Sequence, residues 1–116
     1  YLLYKKKIAV KGSLSRIRDF IFIDDVTNAI NSIINSKLYT NGTFNISSKK
    51  KTTVRNLIKL LQKNFKTKKD IIVNKKTQGD IFGFSGNNDK FRKKYKWRPT
   101  FTLKKGIKIL SEYYGI

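Results

Sequence analysis

Apolar residues recur with helical spacing in three places along this chain, and the stretches between them are short, apolar and bounded by turn residues. Val26, Ala29, Ile30, Ile33 and Ile34 fall at i, i+3, i+4, i+7 and i+8; Val54, Leu57, Ile58, Leu61 and Phe65 mark a second helix, and Leu103, Ile107, Leu110 and Tyr114 a third. Thr52 or Thr53 and then Thr102 stand where N-caps belong, Asp89 to Tyr95 is long enough for one or two helical turns, and Arg98-Pro99 stops them. Strands are expected at Ile8 to Val10, at 43–47 after the Asn41-Gly42 turn, and at 70–73. In RDFIFID, Phe20 and Phe22 occupy one parity and Ile21 and Ile23 the other, which predicts a further strand buried on both faces. Asp24 and Asp25 follow it, where carboxylates can accept the first free N–H groups of a helix. Strands alternating with helices make an α/β fold.

Composition narrows the chemistry. The 116 residues contain no Cys and no His, which removes thiolate nucleophiles, disulfides, cysteine-based zinc sites and the usual catalytic triads. No apolar run approaches the roughly 20 residues that span a bilayer, and no segment resembles a signal peptide, so a cytoplasmic location is expected. The chain starts at Tyr1 and has no Met, as expected of a piece of a longer polypeptide. Its formal charge is +20, but 22 of the 27 basic residues are Lys and only five are Arg, the better fork for phosphates and guanine edges. A solvated lysine surface accounts for that profile. A small basic nucleic-acid-binding protein is the alternative, and it would need exposed aromatics on the lysine face; Phe20, Phe22, Phe44 and Trp97 sit at apolar positions instead.

Four segments taken in order, KGSLSRIRDFIFIDDVTNAI, GTFNISSKKKTTVRNLIKLL, QGDIFGFSGNNDKF and YKWRPTFTLKKGIKILSEYY, resemble the NAD-dependent nucleotide-sugar epimerases and dehydratases of the extended short-chain dehydrogenase/reductase family, with UDP-glucose 4-epimerase-like members most similar. The resemblance runs from about Ile8 to Tyr114. It implies that residues 1–116 are the carboxy-terminal portion of a Rossmann-type enzyme, mainly its substrate-binding subdomain, with the amino-terminal NAD-binding part absent. No G-x-G-x-x-G follows any predicted strand, and no suitable Tyr-x-x-x-Lys pair is present. The implied role is to grip a nucleotide-diphosphate sugar, most simply a UDP-sugar, while the missing part, which holds NAD, carries out 4-epimerisation through a 4-keto intermediate. The chain alone is then inactive. A translated relic of such an enzyme fits the same residues. Which sugar, which nucleotide, and epimerase or dehydratase are left open; a homodimeric parent is compatible, since the family's dimer contacts lie mainly in the missing part.

The resemblance also assigns residues. Arg18 would reach the diphosphate, where a guanidinium fork suits phosphate oxygens, and Asp19 would fix loop geometry beside it. Ala9 and Lys11 would line the uracil base, largely through backbone groups. Asp80, after Gly79, would accept hydrogen bonds from ribose hydroxyls, the glycine permitting close backbone approach. Phe84 stands where several epimerases have a tyrosine near the sugar. Two departures accompany these: Thr77 replaces an arginine that many relatives use on the diphosphate, leaving Lys75 or Lys76 as candidates for its charge, and Asn87 or Asn88 replaces an acid that caps a short helix. Trp97 is expected to pack the last helix on the sheet. An apolar sheet edge is expected to be uncovered, making the isolated chain poorly folded or aggregation-prone.

Overall fold

The computed structural model describes residues 4–38, 41–74, 78–79 and 81–115. Strands β1 (Lys7–Lys11), β2 (Ile17–Asp19), β3 (Lys51–Thr53) and β4 (Asp70–Asn74) are interleaved with helices α1 (Ile23–Ile34), α2 (Val54–Asn64), α3 (Asp89–Tyr95) and α4 (Leu103–Tyr113). The expected α/β architecture is present, divided into two ribbons. β1 and β4 pair in parallel, Lys7 with Asp70 through Lys11 with Asn74, and β2 pairs antiparallel with β3, Arg18 lying opposite Thr52. A bridge from Ile17 to Gly83 attaches the later loop, and a Cβ at Gly83 would lie 2.7 Å from that of Ile17. Only glycine allows the two backbones to approach so closely.

Two hydrophobic cores occur among the described residues. The alternation of β1 buries Ile8 and Val10 against Ile58 of α2, with Leu14, Val54 and Ile71 around them. Thr53 caps α2 by accepting from Asn56 N at 3.1 Å, and Thr102 caps α4 by accepting from Lys105 N at 3.2 Å, as the sequence predicts. The second core joins Ala29 of α1 to Phe91 of α3 and Trp97, with Ile21, Phe44, Ile46 and Tyr95 packed on them. Trp97 therefore seals α1 against α3 rather than packing α4 on a sheet, and its indole N–H donates to Asp25 O at 3.2 Å.

Four expectations are corrected. The strand foreseen in RDFIFID occupies Ile17–Asp19 instead, and α1 begins at Ile23. Phe22 leaves the strand to stack on Phe101 at 4.6 Å, over Gly106, where a Cβ would clash at 2.7 Å. Residues 43–47 form no strand, having no ladder partner among the described residues, although Phe44 and Ile46 pack in the second core. Ile30, Ile33 and Ile34, assigned to the buried face of α1, are exposed, as is Ile23; only Ala29 is covered completely. Finally, α1 carries no side-chain cap. Asp25, 1% exposed, turns away from its own helix and accepts from Thr100 N, Thr100 Oγ1 and Phe101 N at 2.8–3.0 Å.

That latch ties α1 to the approach of α4 with a buried, charge-assisted acceptor. Asp25→Ala, which orphans the Thr100 and Phe101 N–H groups, should lower stability by about 3 kcal/mol, and urea denaturation of the variant beside wild type measures it. A loss under about 1 kcal/mol would show that water replaces the carboxylate there.

Candidate functional site

The alternation that buries Ile8 and Val10 turns Ala9 and Lys11 to the other side of β1. Residues of both faces of β1, Ala9 and Lys11 with Ile8 and Val10, line an open groove of about 610 Å³ together with Arg16, Val54, Ile58, Gln78 and Gly79. The groove lies beside β1 and the chain that follows β4, a position where α/β proteins commonly bind ligands. Gly79 has φ +75° with open space where a Cβ would be, so it is demanded by its left-handed backbone and not by close packing. Asp80 lies outside the described residues.

Arg18 does not line this groove. From the middle of β2 its Nη1 donates to Ile17 O at 2.8 Å and Ile81 O at 3.2 Å, which holds the guanidinium against the loop that follows position 80. Phe84 is 60% exposed and lines a separate hollow of about 480 Å³ with Asp19, Phe44, Ser47, Ser85 and Gly86. The structure thus unites Ala9, Lys11 and Gly79, anchors Arg18 at the neighbouring Ile81, and sets Phe84 apart. Arg16, Val54 and Gln78 were not foreseen. A signal for Arg16 was available, because Arg16 and Arg18 are two of only five arginines and flank one strand residue.

Asp19 has the structural role expected of it. Its Oδ1 accepts from Ser48 N at 3.0 Å and from Ser48 Oγ, while Oδ2 accepts from Lys49 N, Ser85 Oγ and Gly86 N at 3.1–3.2 Å. Partial burial pushes its carboxyl upward, but the bonds from Ser48, Gly86 and Ser85 outweigh that and hold it below the ordinary value of 3.8. Gly86 makes this possible, since a Cβ there would meet Ser47 Cβ at 2.6 Å. Nearby, Lys49 Nζ donates to both oxygens of Asp89 at 2.9 Å. That bond and the charges of Lys49, Arg92 and Lys93 lower the Asp89 carboxyl. Asn87 Oδ1 accepts from Asp89 N at 2.9 Å at the start of α3, whereas Asn88 is buried and its Nδ2 donates to Ser47 O. Asn87 is therefore the residue that serves the helix start.

β1 ends in a turn that leads to another strand, and no described strand opens through a glycine-rich turn into a helix. No cluster of metal-ligating side chains occurs among these residues, and no described helix is long and apolar enough to cross a membrane. Phe91 and Trp97 are buried and Phe20, Phe22 and Phe44 half-buried, so these aromatics offer no stacking platform.

No protein-family model matches the chain, and no curated protein sequence matches it significantly. Solved structures do. A UDP-glucose 4-epimerase from Thermotoga maritima, solved with UDP-glucose, superposes with a TM-score of 0.87 at 28% identity, covering 94% of this chain and 35% of that one. A UDP-glucuronic acid 4-epimerase from Bacillus cereus, solved with UDP-glucuronic acid and NAD, gives 0.86 at 21% identity over 94% and 35%. A dTDP-glucose 4,6-dehydratase from Bacillus anthracis in complex with NAD gives 0.82 at 21% identity over 95% and 34%. The chain spans about a third of the length of these proteins and has the fold of that part of them.

A carboxylate whose folded value lies below its unfolded value stabilises the fold above the unfolded value, 3.8 for Asp19, and the contribution disappears as pH falls through the lower, folded value. Asp19→Asn removes that dependence. Between about pH 4 and pH 2 the unfolding midpoint of the variant should fall less steeply than that of wild type. Parallel curves would mean that the Ser48 and Gly86 bonds do not discriminate the charged carboxyl.

Proposed function

We propose that this chain, which has the fold of one part of the extended short-chain dehydrogenases/reductases, is the nucleotide-sugar-binding portion of an NAD-dependent epimerase or dehydratase, and that its ligand is a UDP-sugar. The observation that carries the reading is the groove beside β1, because two of the residues assigned to the base, Ala9 and Lys11, share it with Gly79. The order of the four sequence blocks supports placing the chain in the carboxy-terminal portion.

In this reading the base lies along β1, and the ribose is met by Asp80. The diphosphate extends toward Arg18, whose guanidinium is already oriented by the Ile17 and Ile81 carbonyls; a preoriented fork loses less freedom on meeting phosphate than a mobile side chain. Phe84, in its separate hollow, would face the sugar end. The chemistry proper, oxidation of the sugar at C4 to a ketone and its re-reduction from the other face, is that of a 4-epimerase. It requires NAD and a catalytic Tyr-Lys pair that these residues do not supply, so the chain alone binds without turning over.

Calorimetric titration of UDP at fixed moderate salt tests the proposal. Arg18→Ala and Asp80→Ala should each weaken binding by about 1 kcal/mol or more, the scale of one lost charge-assisted hydrogen bond. Wild-type affinity in both variants would leave the fold assignment standing and remove the ligand assignment.

A further inference from the structure

We propose that the cavity between the end of β3 and the start of α4 is a binding site for a small amphipathic anion, an apolar body of one or two rings that carries a carboxylate or a phosphate. It shares no lining residue with the β1 groove, and the proposal does not depend on the nucleotide reading of that groove.

The cavity has a volume of about 430 Å³, within the range of small-molecule pockets. Phe20, Leu60, Phe101 and Leu103, all half-buried, give it an apolar floor, and Lys50, Lys51 and Lys104, all exposed, give it three cations. These lysines come from two segments far apart in the sequence, so their meeting around one hollow is a product of the fold and not of a local charge run. No carboxylate lines the cavity. Two stand behind its wall, where Asp19 accepts from Ser48 and Lys49 and Asp25 from Thr100 and Phe101. An ammonium attracts an anion as a point charge without fixing its geometry, while apolar surface gains from being covered whatever covers it. Inorganic phosphate would meet only the cations and a neutral ring only the floor; a ligand with both parts meets both. The walls are braced as well. Lys50 N donates to Ser48 Oγ at 3.1 Å, and Lys51 pairs with Asp19 across the β2–β3 ladder. On the other side, the Phe101 ring stacks on Phe22 and Thr102 caps α4. A pocket built in this way loses less freedom on binding than a mobile one.

Backbone-amide NMR titration of the full chain at fixed pH and moderate salt tests this, with 2-naphthoate, 2-naphthyl phosphate, neutral 2-naphthol and inorganic phosphate as probes. At least one of the two naphthyl anions should saturate with shifts centred on residues 50–52 and 100–104. It should bind about tenfold or more tighter than 2-naphthol and than inorganic phosphate, each of which lacks one half of the ligand. Whichever naphthyl anion binds tighter names the head group. Replacing two exposed cations together, Lys51→Gln with Lys104→Gln, should weaken that anion about fivefold and change 2-naphthol by less than about twofold, since exposed charges contribute modestly. Shifts scattered over the lysine surface would overturn the proposal, as would inorganic phosphate or 2-naphthol binding as tightly as the naphthyl anions. Wild-type affinity for the anion in the double variant would overturn it too.

Discussion

The Asp19 carboxylate ties the end of β2 to the loops beside the hollow that Phe84 lines. One side chain at the end of β2 gathers the N–H and hydroxyl groups of residues 48–49 and 85–86, two loops that come from distant parts of the sequence. Arg18 precedes it, so the direction of the guanidinium depends on the same strand end. In a chain of formal charge +20 with only seven acids, three of the acids act as joints. Asp19 joins β2 to two loops, Asp25 joins α1 to the approach of α4, and Asp89 joins α3 to Lys49. Two of the three acids within the block from Arg18 to Asp25 therefore form junctions at either end of one short connection. The third, Asp24, is exposed in the first turn of α1, where a negative charge meets the positive end of the helix.

Helices and their caps were legible because they are local. A period of 3.6 residues and a threonine three residues before a free N–H involve no distant partner, and Thr53 and Thr102 sit where the sequence puts them. Strands were less legible because a strand is a property of two segments. The apolar parity of Phe20 to Ile23 predicts a strand buried on both faces, whereas Phe20, Ile21 and Phe22 are half-buried outside any strand and Ile23 is exposed. The hydrogen bonds went instead to the polar stretch Ile17–Asp19, which Thr52 and Lys51 could register, and Phe22 found an aromatic ring and a glycine in the carboxy-terminal segment. Trp97 misled for a similar reason: hydrophobicity places it in a core, and only the fold reveals which core.

The site divides in the same way. Ala9 and Lys11 belong to a strand legible in the sequence, and Gly79 answers the need for positive φ in a turn. Val54 and Gln78 reach the groove only because α2 packs on β1 and the chain after β4 returns beside it. Neither residue carries chemistry that would single it out in isolation. Arg18 shows the intermediate case, a residue type suited to phosphate whose anchoring by the carbonyls of Ile17 and Ile81 required the structure.

The two cores give the molecule a division of labour. The groove stands on Ile8, Val10 and Ile58, a compact set covered by its own helix. To the other core α1 contributes Ala29, while its hydrophobic face of Ile23, Ile30, Ile33 and Ile34 remains in water. Leaving four such side chains exposed is unfavourable on the scale of about 1.5–3 kcal/mol for each that could be buried. No comparable cost attaches to the groove, whose exposed lining includes polar and charged side chains that water solvates well. The groove is therefore shaped by β1, by α2 and by the turn that Arg16 fastens between them.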